Sequence, residues 1–360
     1  LNLNGQISYQ SDVTEIDIPV PNINLPEIKK DQYKLNLDAS QVIYDGGINK
    51  SQQRLEELKS MALQTGVDIE LYKLYDQVGN SFFAILLVDE NKKALDESLK
   101  ELNKRIDMAE AAVRNGVLTR NNLERLLARK LQIEEKKIEL KFKRISLIKT
   151  LSQLTGKEYS SSMEVEYPKE MATTDPIFSR PEHRLFESQQ KLNLAQIDLQ
   201  KKTKLPKAFA FGQAGYGRPG YNMFTDSFDD YYMLGVKLSW NIYDWGQNRD
   251  TRNALIIEQD IISNKKTAYD LSLGIAHQNY ITELNKIEEL MLNEAKILQL
   301  LQEILERTST ELDNGTITSA DYLADLNAHA QSNIKINSLQ VQKLQAQVSL
   351  QILTGEISRQ

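Results

Sequence analysis

A chain of 360 residues, 41% apolar and 26% charged, has the composition of an ordered protein of one large or two ordinary domains. Its net charge of −6 excludes the concentrated basic surface of a nucleic-acid binder, and the lysines of Lys136–Lys143, interspersed with glutamate, read as a solvated helix face. The absence of cysteine excludes disulfides, thiolate metal sites and cysteine nucleophiles, and the longest apolar run, Phe82–Val88, is far below the roughly 20 residues of a membrane-spanning helix, so any membrane crossing uses strands.

In Leu1–Gln10, Leu1, Leu3, Ile7 and Tyr9 alternate with Asn2, Asn4, Gln6 and Ser8, the period of a strand with one apolar face. A turn-rich loop, Ser11–Gln32, leads to a second strand over 33–44, where Tyr33, Leu35, Leu37, Ala39 and Ile43 oppose Lys34, Asn36, Asp38 and Ser40. Asp45 is placed to cap a helix and the adjacent glycines allow the bend into it. Helical periodicity then runs over 48–115, roughly 100 Å at 1.5 Å per residue. Asn115-Gly116 suits a left-handed helix ending, Thr119 caps the return helix over 119–154, and an irregular connector follows over 157–180. Pro181 opens a helix over 181–204, stopped by Pro206. A less clearly alternating strand over 209–217 precedes the loop Arg218–Asp230. The strand over 231–243 is sharper: Tyr232, Leu234, Val236, Leu238, Trp240 and Ile242 face away from Lys237, Ser239 and Asn241. Asp244 begins a helix over 247–314, and Asn314-Gly315 and Thr318 turn it into a last helix over 318–354.

The order is a repeat. Tyr33–Asn49 matches Tyr232–Asn248 at an offset of 199 residues, and the same offset pairs Asn115-Gly116 with Asn314-Gly315, Thr119 with Thr318, and Leu154-Thr155-Gly156 with Leu353-Thr354-Gly355. Gly5-Gln6 and Tyr9 match Gly212-Gln213 and Tyr216 at an offset of 207, so the loop after the first strand is eight residues longer in repeat one. Repeat one spans 1–156 and repeat two 181–360, joined by the connector. Leu1 aligns with Ala208, so repeat one lacks a counterpart of the helix over 181–204, which predicts that sequence upstream of Leu1 is missing, and with it any signal peptide or lipid anchor.

The motifs Arg180-Pro181-Glu182, Leu205-Pro206, Gly235-Val236 through Tyr243-Asp244-Trp245-Gly246, the Asn-Gly-x-x-Thr turns and the Leu-Thr-Gly endings, in this order, resemble the TolC-like outer membrane efflux protein (outer membrane factor) family over essentially the whole chain. The resemblance implies a mainly α fold with a membrane β-barrel: a homotrimer whose helical hairpins form an α-barrel and whose four strands per protomer close a 12-stranded β-barrel. It also implies a passive outer-membrane exit duct of a tripartite efflux or type I secretion system, extending into the periplasm and docking to a periplasmic adaptor and an inner-membrane pump. By that resemblance docking falls on Gly116, Val117, Leu118, Thr119, Gly315, Thr316, Ile317 and Thr318. The gate carboxylate falls on Asp321, with Ala324 where a second is expected and Asp325 one place further. Ile317 and Leu312 stand where the family supplies an arginine and a tyrosine. Asp321 is equally explained as the acid of a capping box three residues after Thr318. Tyr44, Trp240, Tyr243 and Trp245, near the strand ends, suit an aromatic belt in contact with outer-membrane lipid. The competing reading is a soluble coiled-coil scaffold or tethering protein.

No catalytic constellation emerges. His183, His277 and His329 share no metal-ligand spacing, Ser160–Ser162 have no partnered base, and Gly212–Gly220 lack the strand-glycine-helix order of a phosphate loop. The sequence calls for no cofactor and no metal, and it does not specify the cargo.

Overall fold

The computed structural model describes residues 1–13, 29–168, 178–222 and 225–355. Most of the first hairpin loop and residues 169–177 of the connector lie outside them. The elements are β1 (Asn2–Tyr9), β2 (Asp31–Tyr44), α1 (Ile48–Arg114), α2 (Arg120–Thr155), α3 (Pro181–Lys202), β3 (Lys207–Arg218), β4 (Asp229–Ser239), α4 (Gln247–Asp313) and α5 (Ser319–Thr354). They fall into two compact units, Leu1–Ala62 with Glu187–Asn264 and Leu63–Phe186 with Lys265–Gln360. No helix among the described residues is long and apolar enough to cross a membrane.

The first unit holds the sheet, a four-stranded antiparallel array in the order β1-β2-β3-β4. Directly paired residues share a face, so the registers assign every side chain. Leu3 opposite Leu37, Leu35 opposite Tyr216, Ala214 opposite Tyr232 and Gly212 opposite Leu234 build one apolar face. On that face Leu3 is 69% exposed, Leu234 77% and Val236 70%, uncovered by the described residues, while Phe228 packs on Tyr33 and Tyr216 at one end. The other face is knit by polar groups. The Asn4 amide donates to Asp38 Oδ2 at 2.6 Å and the Gln213 amide to Asp38 Oδ1 at 2.7 Å; the Tyr221 hydroxyl donates to Gln213 at 2.8 Å and that of Tyr231 to Asn36.

β4 ends at Ser239, four residues short of the strand over 231–243 that the alternation predicts. Ser239 pairs with Lys207, the first residue of β3, and Pro206 before it has no N–H to extend the ladder. Trp240 instead donates its indole N–H to the Lys204 carbonyl at 2.9 Å.

Strand becomes helix through the same joint twice. Asp45 accepts the N–H groups of Gly47 at 2.8 Å and Asn49 at 2.7 Å; Asp244 accepts those of Gly246 at 3.2 Å and Asn248 at 3.1 Å. The bend requires left-handed backbone, with φ +70° at Gly46, where a Cβ would lie 2.7 Å from Leu205 Cβ. α3 is tied to both joints. Lys202 reaches Ser51 Oγ at 2.5 Å and Asp198 at 2.8 Å, and the buried Asn248 amide donates to the Gln200 carbonyl at 2.6 Å.

The second unit is a coiled-coil core. Val88, Leu95, Leu102 and Ala109 on α1, and Leu126, Ile133 and Leu140 on α2, are buried at strict seven-residue intervals. Ile106 of α1, Leu305 of α4 and Tyr322 and Leu326 of α5 complete that cluster. Leu284 and Ile287 of α4 pack with Leu339, Ala346 and Leu350 of α5 in a second cluster. The connector is fastened by Arg144, whose guanidinium holds Asp89 at 2.6 and 3.0 Å and donates to the carbonyls of Ser161 and Met163. At the start of α3, Arg180 pairs with Glu182 at 2.7 Å and lies 4.9 Å over the Tyr72 ring, whose hydroxyl donates to the Ile352 carbonyl.

Candidate functional site

The two helix-to-helix turns end the hairpins of the second unit. In the first, Gly116 has φ +74°, and the N–H groups of Val117 and Leu118 return to the Ala112 carbonyl at 2.9 and 3.3 Å. In the second, Gly315 has φ +69°, and Thr316 donates both its N–H and its hydroxyl to the Glu311 carbonyl, at 3.0 and 2.9 Å. These bonds satisfy carbonyls that the helix ends leave free. Val117 is 77% exposed, while Leu118 and Ile317 are half-buried against the core and fasten both turns to it. Gly116, Thr119, Gly315, Thr316 and Thr318 present exposed backbone and small polar groups.

The two turns differ in their caps. Thr119 makes no side-chain cap to α2; its hydroxyl accepts from the Asn122 amide at 3.1 Å. Thr318 and Asp321 form a full capping box, with Asp321 N–H to Thr318 Oγ1 at 3.3 Å and Thr318 N–H and hydroxyl to Asp321 Oδ2 at 2.9 and 2.6 Å. These bonds from Thr318, the hydroxyl first, hold the Asp321 carboxyl below its ordinary value. Asp321 is exposed, and its second oxygen is left for solvent or a partner. Asp325, one turn on, is half-buried.

A third constellation beside these turns was not legible from motifs. Arg105 of α1 donates from Nη1 to Asp313 Oδ1, the last residue of α4, at 2.7 Å, and its guanidinium carbon lies 5.5 Å from the centroid of the Tyr322 ring. Tyr322 is fully buried, and burial pushes its hydroxyl up to about 12, so the ring facing the guanidinium is neutral. Three helices thus meet at one cation. The signal was a heptad one: with Leu102 and Ala109 as core positions, Asn91, Ser98 and Arg105 recur at seven-residue spacing in the other inward lane of α1, and a charge there demands a partner.

The aromatic residues sit at the strand-helix joints of the first unit. Tyr44 closes β2, and Tyr243 and Trp245 pack edge to face at 4.9 Å. Trp245 is 87% exposed and has φ +52°, the left-handed conformation that its counterpart Gly46 adopts without strain. The histidines are dispersed: His183 meets Asp270 at 2.7 Å, His277 packs against Phe178, and His329 lines a cavity of about 290 Å³ with Glu97, Glu101 and Glu306. Among the described residues no three acidic or histidine side chains are grouped to hold a metal ion.

A sheet with one apolar face and one hydrogen-bonded polar face in the first unit, and a coiled-coil core in the second, are the parts of a membrane-barrel protomer with helical hairpins. Residues 179–356 match the family model of the outer membrane efflux protein. Over those residues, just under half of the chain, it is similar to that family of outer-membrane proteins. Its fold is that of solved outer-membrane proteins: over 98% of its length it superposes on VceC of Vibrio cholerae (TM-score 0.70, 13% identity, 86% of that chain covered). The same share superposes on the CmeC outer membrane channel of Campylobacter jejuni (0.71, 15%, 76%) and on the open state of the MtrE outer membrane channel of Neisseria gonorrhoeae (0.72, 16%, 79%). No curated protein matches the sequence.

Proposed function

We propose that the chain is one third of a passive outer-membrane exit duct, a homotrimer whose 12 strands close one barrel, serving a tripartite efflux or type I secretion system without chemistry of its own. The observation that carries this reading is the sheet. Most of its apolar face is left uncovered by the described residues and its polar face is hydrogen-bonded within the sheet, the arrangement of a barrel wall between lipid and water. Four strands are too few to close a barrel with a water-filled lumen, and three copies supply 12. The aromatics Tyr44, Trp240, Tyr243 and Trp245 then stand at the lipid interface. A strained Trp245 that buries almost none of its surface in the chain supports contact with lipid.

The turns at Gly116–Thr119 and Gly315–Thr318 form the docking surface for a periplasmic adaptor, which links the duct to an inner-membrane pump. Exposed backbone at fixed left-handed turns and the exposed Val117 support that assignment. Asp321, whose free oxygen would recur three times around the axis, and Asp325 form an acidic mouth favouring cations. The Arg105–Asp313 bond tethers the α4 end of that mouth to α1. The test is reconstitution of the purified protein in a planar bilayer: a trimer with stable ion conductance is expected, and a soluble monomer that conducts nothing sinks the reading.

A further inference from the structure

α1 and α3 enclose an open groove of about 550 Å³ on the first unit, beside the joint where β2 gives way to α1. Its walls carry four cations, Lys50 and Arg54 from α1 and Lys191 and Lys202 from α3, against one lining carboxylate, Asp198. That carboxylate is already engaged. It accepts from Lys202 Nζ at 2.8 Å and from Ser51 Oγ at 3.1 Å, and Lys202 also donates to Ser51, only 5% exposed, so the three close on one another. Arg54 shares Nη1 with Glu57 at 3.4 Å, an exposed pair that contributes little. Lys50 and Lys191 make no ion pair among the described residues. Between the cations the wall is apolar, with Leu58 buried and Leu194 54% exposed, and a low-dielectric wall strengthens the field of the charges beside it.

Folding does not account for this excess of positive charge. A helix N-terminus disfavours cations, yet the first turn of α1 holds no acidic residue and has Lys50 instead. The second joint shows what the bend itself requires. At the offset of 199 residues, Lys50, Ser51 and Arg54 become Arg249, Asp250 and Asn253. There Asp250 stands in the first turn of α4 and accepts from Arg249 Nε at 3.0 Å. The same strand-to-helix joint is thus built with its cation neutralised in one repeat and left open in the other.

The groove also has a defined height. Lys50 lies three residues and Arg54 seven residues beyond Gly47, about 4.5 and about 10 Å along the helix. The polar layer of a bilayer is about 5–7 Å deep on each side of the hydrocarbon, and long cationic side chains extend toward it. On the strand side of the joint, Ile43 and Tyr44 of β2 are 59% and 52% exposed, apolar surface that leads down to the groove.

We propose that this groove binds an anionic phospholipid of the periplasmic leaflet. Lys50 and Arg54 hold its phosphate, Lys191 adds positive charge deeper in the groove, and the acyl chains lie against Ile43 and Tyr44. The site rests on the reading of the sheet as a barrel wall and adds a lipid class that an apolar wall does not select.

Trp240 and Trp245 are the only tryptophans, and the Trp240 indole is bonded to the Lys204 carbonyl, two residues from Lys202, so the chain carries its own reporter. The full chain is reconstituted in phosphatidylcholine vesicles containing a minor fraction of phosphatidylglycerol with brominated acyl chains, or of brominated phosphatidylcholine as reference. Tryptophan quenching then gives the relative affinity of the two lipids, and phosphatidylglycerol should be preferred. A cation at the membrane surface is worth about fivefold in affinity for an anionic lipid, so Lys50→Gln with Arg54→Gln should reduce the preference by about twentyfold. Arg249→Gln, at the second joint, should leave it unchanged, as should Lys50→Arg with Arg54→Lys, which keeps both charges. In the parent the preference should fall as salt rises from about 0.05 to about 0.5 M, a measurement that needs no variant to assemble. Equal quenching by the two lipids in the parent, a preference indifferent to salt, or an equal loss in Arg249→Gln overturns the site. Displacement of the brominated phosphatidylglycerol by inorganic phosphate at matched ionic strength overturns lipid as the occupant. Tryptophans that neither lipid quenches overturn the barrel reading itself.

Discussion

The Arg105–Asp313 contact offers the most direct handle on the proposed mouth. The Arg105 side chain is 11% exposed and Asp313 40%, so the pair is neither a surface ion pair nor a buried one. A hydrogen bond to a charged group is worth about 1.5–3 kcal/mol, and solvent at Asp313 reduces it to about 1–2 kcal/mol. The Tyr322 ring adds roughly 0.5–1 kcal/mol to the arginine side only. Asp313→Asn should therefore weaken the tether by about 1 kcal/mol, roughly fivefold in the ratio of tethered to released hairpins, and Arg105→Ala by about 2 kcal/mol, roughly thirtyfold. Planar-bilayer recordings of open probability for both single variants and the double variant read this as a thermodynamic cycle. The double variant should resemble Arg105→Ala, because one interaction cannot be lost twice. Single variants whose open probability stays within twofold of the parent, or a double variant whose effect is the sum of the two, would refute the tether.

Charging the lipid face by Leu234→Lys with Val236→Lys should cost about 2–4 kcal/mol per lysine near mid-membrane and abolish recovery of the trimer from outer-membrane fractions; undiminished recovery would remove that face from lipid. The capping box gives a pH test. The Asp321 carboxyl is held below its ordinary value of 3.8, chiefly by the Thr318 hydroxyl, so its contribution to the tip is complete above that value and is lost as pH falls through the folded value. Asp321→Asn should accordingly lower hydrogen-exchange protection at the start of α5 at pH 7 and make progressively less difference below pH 3.8; a difference unchanged at low pH would show that the carboxylate charge is not what closes the box.

What could be read from the residues divides along a physical line. Alternation in Leu1–Tyr9 and Tyr232–Leu238 and the glycines at 116 and 315 are local signals whose structural meaning is set within a few residues, and strands and left-handed turns form there. The end of β4 was not local. Whether Trp240 continues a strand depends on the neighbouring strand's start, where Pro206 interrupts the ladder and the Lys204 carbonyl, 36 residues upstream, takes the indole N–H instead. Arg105 and Asp313 are 208 positions apart, and no motif spans that distance. Only the seven-residue lane through Asn91 and Ser98 marked Arg105 as facing inward, and nothing in α1 itself names its partner.

The two hairpins keep one register although their loops differ in length by eight residues. Chain length is therefore unconstrained at the hairpin tips and tightly constrained elsewhere. A single-residue insertion in β2 or β4 would turn every following side chain to the other face, and one in α1 would rotate the following heptads by about 100° away from their partners. Between Tyr9 and Asp31 the chain can gain or lose whole segments without either strand noticing. Divergence, epitope insertion and engineered tags all have the same permitted address, and the wall behind it has almost none.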